Sequence, residues 1–122
     1  LYERGFAFRR DYYNGENLAT CLDLRAGSQT DGNEALFDRM SARKVRENLC
    51  VILDEIVTSS TFTERSDVKW VYATCANVCY ALGRAADGDK HEQSFLATKP
   101  ASWEIETYNA GKATALKVAS LA

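Results

Sequence analysis

Cys75 and Cys79 are the residues best placed, by type and spacing, to do chemistry. Four positions apart on a helix they share one face, where two thiolates could hold a soft metal ion or form a redox pair. Neither use is completed. The single histidine, His91, lies in a polar stretch expected to face solvent, and Cys21 and Cys50 form no second ligand pair. A structural metal site needs about four such donors. Val68, Val71, Tyr72 and Leu82 lie on the same face as the two thiols, which therefore read as small reduced hydrophobes in a core. The even cysteine count does not make a disulfide framework. Each cysteine sits inside an apolar helical pattern, not in a small loop-rich scaffold. Reduced thiols favour a cytoplasmic location.

The remaining titratable groups are read in the same way. Asp54 and Glu55 are neighbours on a helix, so they point apart and form a solvated edge. Glu104 and Glu106 open a helix, where the positive end of the dipole favours acids. The segment between Gly83 and Gly88 is no phosphate loop, because no strand precedes it and no Gly-Lys-Ser/Thr closes it. No nucleophile elbow and no zinc-protease motif is present. The expectation is a chain that is not an enzyme, with no catalytic, cofactor or metal site.

The elements that would position these groups are helical. A length of 122 residues allows one domain, 1–122. A hydrophobic fraction of 46% and a charged fraction of 26% are those of an ordinary globular protein. The net charge of −2 offers no field for a phosphate backbone, so nucleic acid is not an expected partner. No apolar run approaches the ~20 residues of a membrane span. The longest apolar cluster, 49–57, is broken by Asp54 and Glu55. No signal peptide is visible. The sequence starts at Leu1 in a helical pattern, so it reads as a fragment of a longer chain.

Six helical pieces are expected from the 3.6-residue period. The first covers residues 1–9. The second runs from Tyr13 to Ala26 with Leu18, Cys21, Leu22 and Arg25 on its stripe, and Gly27 stops it. Asp31-Gly32 marks a turn. The longest helix covers about 34–58, with Leu36, Phe37, Met40, Val45, Leu49, Ile52, Leu53 and Ile56 facing a core; its polar middle, 41–48, reads as solvated. A polar connector holds a lone Phe62. Ser66 or Asp67 caps the next helix, which ends at Gly83. A loop over 85–89 leads to a short helix over 90–99, ended by Pro100. Ser102 caps the last helix, running toward Leu121.

Tyr13 to Gly27 and Lys69 to Gly83 are spans of equal length that both close on glycine, each followed by a turn and a second helix. This is a repeat of architecture. The span from Trp70 to Pro100 fits a tetratricopeptide-type hairpin of about 34 residues. The fold class expected is all-α: tetratricopeptide-like antiparallel helical hairpins stacked as a short solenoid. Two hairpins cannot bury all their apolar faces, so neighbouring repeats or domains of the same chain are expected.

Three segments carry a more specific likeness: LYERGFAFRRDYYNGENLATCL (1–22), KWVYATCANVCYALGR (69–84) and KPASWEIETYNAGKATAL (99–116). Their Tyr2, Gly5, Phe6, Asp11, Tyr12, Tyr13, Gly15, Asn17, Trp70, Ala73, Thr74, Ser102, Trp103 and Glu104 match a pattern. Through it the chain resembles the tetratricopeptide-like TRAFs-binding domain beside the kinase domain of apoptosis-signal-regulating mitogen-activated protein kinase kinase kinases, and related segments of bacterial multidomain proteins. Asn14 stands where that family has proline. The resemblance covers about two thirds of the chain and implies a regulatory binding module of a larger signalling protein.

In such repeats the first helix of each hairpin lines a concave face. With Tyr72, Cys75, Ala76 and Cys79 turned to the core, Trp70, Ala73, Asn77 and Tyr80 face the other way. Asn17 and Arg25 on the earlier helix and Glu104 and Thr107 on the last complete a candidate peptide groove, since aromatics and arginine dominate interface energy. Trp103, Tyr12 and Tyr13 are expected in the core. The function expected is protein–protein interaction or scaffolding in the cytoplasm. The alternatives are a substrate-binding or accessory domain of a multidomain enzyme, and a thiol-based redox sensor using Cys75 and Cys79.

Overall fold

The computed structural model describes residues 12–28 and 31–120; side chains at 12–15 and at Asn17 are not among those described. The helix expected over 1–9 lies outside them, as does Leu121. The described residues are all-helical, with no strand among them. The helices are α1 (Tyr12–Ser28), α2 (Gly32–Thr58), α3 (Val68–Ala81), α4 (Ala85–Ala97) and α5 (Ser102–Ser120), and a 3-10 turn spans Phe62–Glu64. The chain divides into two compact units, Leu1–Ile52 and Leu53–Ala122, with the division inside α2.

In the first unit α1 and α2 are tied by two ion-pair clusters. Arg25 forks onto Asp38, Nε to Oδ2 at 2.9 Å and Nη2 to Oδ1 at 2.6 Å. Arg46 donates through Nη1 to Asp23 and through Nη2 to Glu16. Small residues at matching intervals are buried on both helices: Ala19 and Ala26 on α1, Ala35 and Ala42 on α2. Four expectations are corrected here. Gly27 lies inside α1 and does not stop it. The polar middle of α2 is not a solvated stretch, since Ala42 and Arg46 within it are buried. The apolar side chains Leu36, Phe37 and Met40 are not core but face solvent, because the buried stripe is the one through Ala35, Asp38, Ala42, Leu49 and Leu53. Cys21, expected on the apolar stripe of α1, is also exposed.

In the second unit α3 packs against both α4 and α5. Its core joins Ala73, Ala76, Tyr80 and Ala81 of α3 with Phe95 of α4 and Tyr108 and Ala115 of α5. Phe62 of the connector is buried with its ring edge-on to Tyr72, centroids 5.4 Å apart. The helix ends follow the sequence signals in part. Gly83 takes φ 78° and closes α3 in a Schellman motif, its N–H donating to Tyr80 O at 3.0 Å and that of Arg84 to Cys79 O at 2.8 Å. Lys99 adopts the left-handed conformation (φ 57°) beyond α4, and its N–H donates to Leu96 O at 3.0 Å. Pro100 cannot supply the second bond of that motif because it lacks an N–H.

Three further expectations are corrected. The segment 85–89 is the first turn and a half of α4, not a loop. Gly88 is there because α4 crosses α3 closely: a Cβ at Gly88 would lie 2.7 Å from the Tyr80 ring. Asp67 makes no side-chain cap on α3, since its carboxylate accepts from Arg65 at 2.8 and 2.9 Å. Ser102 is the first residue of α5 rather than its cap; Glu104 instead reaches back to the Ala101 N–H at 2.8 Å, the return half of a capping box.

Candidate functional site

The face of α3 expected to line an open groove is closed. Ala73 and Tyr80 are buried in the core formed with α4 and α5, and Trp70 packs against that core. A helix with apolar side chains all round is covered on all sides. That is the case for α3, where Val71, Cys75, Val78 and Cys79 are buried as well. The Trp70 ring lies 6.3 Å from Phe95 and 6.3 Å from Trp103, centroid to centroid. Trp103, expected in the core, is 62% exposed at the start of α5. His91, expected in solvent, is partly buried.

The polar groups of this region are engaged with one another. The Tyr80 hydroxyl donates to Asp89 Oδ1 at 2.6 Å, and the Tyr108 hydroxyl donates to Glu92 Oε1 at 2.8 Å. Lys112 donates to the same Glu92 oxygen at 2.7 Å and stands 4.8 Å over the Tyr80 ring. Burial, and then the adjoining carboxylates, push both phenols above their usual range, so they remain protonated donors. The network joins α3, α4 and α5 and offers no ionised phenol as a nucleophile.

The expected binding residues fall in two units. Asn17 and Arg25 belong to the first compact unit, and Trp70, Asn77, Tyr80, Glu104 and Thr107 to the second. The Asn17 side chain lies outside those described. Arg25 is held by Asp38. Asn77 is partly buried with an unpartnered Oδ1, and Gly111 of α5 leaves room for its Nδ2. Glu104 is buried, accepting from Lys69 at 2.8 and 2.9 Å besides the Ala101 N–H. Those donors hold its carboxyl below the ordinary value of 4.5. Thr107 is exposed, but its hydroxyl donates to Trp103 O at 2.9 Å.

An unpartnered surface lies instead on the outer face of α2. Leu36, Phe37 and Met40 are 54%, 66% and 62% exposed, opposite the buried stripe that holds α1. On this face Arg43 and Lys44 follow one turn later, and Arg39 borders it. Sequence periodicity missed this surface by assigning these apolar residues to the core. A usable signal was present: alanines seven residues apart on both helices, 19 and 26 on α1 and 35 and 42 on α2, all of them buried.

Behind that face lies the Arg46 cluster. Burial pushes the Glu16 carboxyl above 4.5, and Arg46 only partly opposes the shift. Glu16 Oε2 and Arg46 Nε are buried without hydrogen-bond partners. All four cysteines are free thiols, Cys75 and Cys79 buried and Cys21 exposed. Among the described residues no group of three or more His, Cys, Asp or Glu side chains could hold a metal ion, and no helix is long and apolar enough to cross a membrane. No known protein family, curated protein or solved structure matches the chain.

Proposed function

We propose that this chain is a non-catalytic protein-interaction module, a tetratricopeptide-like array of helical hairpins within a larger cytoplasmic signalling protein. Its partner docks as a helix on the outer face of α2. The observation that carries this reading is the exposed trio Leu36, Phe37 and Met40 on a helix whose other face is already buried. Apolar side chains held together in water gain free energy when a partner covers them. Three such side chains, each more than half exposed, make a patch of roughly 300 Å². That is less than half the ~800 Å² per partner of a standard interface, so binding is weak and reversible unless the partner reaches further. The likeness of 1–22, 69–84 and 99–116 to TRAFs-binding domains supports a role in regulating an attached effector.

The test is capture from native lysate with the wild type and with a Phe37→Ser/Met40→Ser variant of unchanged helicity. The captured protein is then purified and titrated against both. Binding that the variant loses supports the α2 face. A purified partner that binds both equally refutes it.

A further inference from the structure

We infer that the partner segment received by α2 is acidic: an amphipathic helix with apolar residues at i, i+3 and i+4 flanked by carboxylates. The inference rests on the α2 docking face proposed above and adds the charge of its occupant. It follows from which charges along α2 are already neutralised. Asp38 is held by Arg25, Arg46 by Asp23 and Glu16, and Arg43 by Glu47 at 3.2 Å. Arg39 and Lys44 remain, exposed and without an ion pair among the described residues. Arg39 stands three positions after Leu36, and Lys44 four after Met40, so each lies a helical turn from the trio. Arg39 borders the strip beside Leu36, and Lys44 continues it beyond Met40.

On a chain of net charge −2, two uncompensated cations beside an exposed apolar strip form a local basic rim. Glu34, exposed and without an ion pair among the described residues, offsets one of these two charges and leaves the strip net positive. A helix lying along the strip would set its own flanking side chains against Arg39 and Lys44. Carboxylates there are attracted and cations repelled, which selects partners by sign as well as by apolar fit. A second copy of this chain fits poorly, because α2 helices paired through the trio would set their Arg39 side chains together.

The experiment is selection from a displayed library of amphipathic helical peptides whose flanking positions are randomised, against the purified chain. The expected result is enrichment of Asp and Glu at the flanking positions. Synthesised binders should lose affinity roughly tenfold or more against Phe37→Ser/Met40→Ser. They should also weaken with Arg39→Glu/Lys44→Glu and as salt is raised. Binders with no acidic excess, or insensitive to Arg39→Glu/Lys44→Glu, overturn the charge inference and leave the docking face standing if they still need Phe37 and Met40. Binders indifferent to Phe37 and Met40, or none at all, overturn both. Association with anionic vesicles in place of peptides also overturns it.

Discussion

Two glycine-to-alanine substitutions in the second unit should act in opposite directions, for reasons the sequence does not show. Both glycines lie inside helices, Gly88 in α4 and Gly111 in α5, where alanine is ordinarily better by about 0.5–1 kcal/mol. A Cβ at Gly88 would stand 2.7, 2.8 and 2.9 Å from three Tyr80 ring carbons. That ring cannot retreat cheaply. It is buried, its hydroxyl is bonded to Asp89 and Lys112 covers its face. Overpacking of this kind costs about 1–3 kcal/mol, which outweighs the helix gain. Gly88→Ala should therefore destabilise by about 1–2 kcal/mol, a fall in Tm of about 4–15 °C for a domain of this size. At Gly111 the near atom is Asn77 Nδ2 at 2.8 Å, the end of a side chain that can rotate. Gly111→Ala should thus be neutral or raise stability by up to about 1 kcal/mol. Urea and thermal unfolding followed by circular dichroism would read both. The reasoning is refuted if Gly88→Ala is as stable as the wild type, or if Gly111→Ala is equally damaging.

Other consequences can be checked by similar means. Arg46→Met strands the carboxylates of Asp23 and Glu16 and should cost about 3–5 kcal/mol in urea unfolding, with Arg46→Met/Asp23→Leu recovering part of it; a single variant of wild-type stability would contradict the cluster. Glu16 is raised above 4.5 by burial, so its contribution to stability is present below 4.5 and is lost as pH rises through its higher folded value. Glu104 is lowered, mainly by Lys69, so its contribution is present above 4.5 and lost as pH falls through its folded value. In unfolding measured across pH, Glu16→Gln should flatten the first loss and Glu104→Gln the second, and an unchanged profile in either would speak against the assignment. A thiol reagent should modify Cys21 first and reach Cys75 and Cys79 only on unfolding; mass spectrometry finding all three at one rate would show that α3 is not closed.

Much of the secondary structure was legible, while the candidate site was not. Gly83 and Pro100 ended their helices because left-handed backbone and a missing N–H act locally. Gly88 misled because glycine serves two purposes: it closes helices and it admits close neighbours. Inside α4, only the Tyr80 ring of another helix shows which purpose Gly88 serves. The expected groove failed for a related reason. Periodicity set Trp70, Ala73, Asn77 and Tyr80 on a face apart from Tyr72 and Ala76, but could not tell that α4 and α5 gather Trp70, Tyr72, Ala73, Ala76 and Tyr80 into one core.

By itself the sequence determined the helical class, the main turns and the absence of recognisable catalytic motifs. Each of these depends on residues near in the chain: the period of apolar side chains, the torsions open to glycine and proline, and the spacing of reactive groups. The tertiary structure decided which face of each helix is buried. On α2 two stripes competed, one rich in large apolar residues and one of alanines with Asp38 and Arg46. Along the second, Arg25 and Asp23 of α1 neutralise the two buried charges. Leu36, Phe37 and Met40 are left in water by that choice.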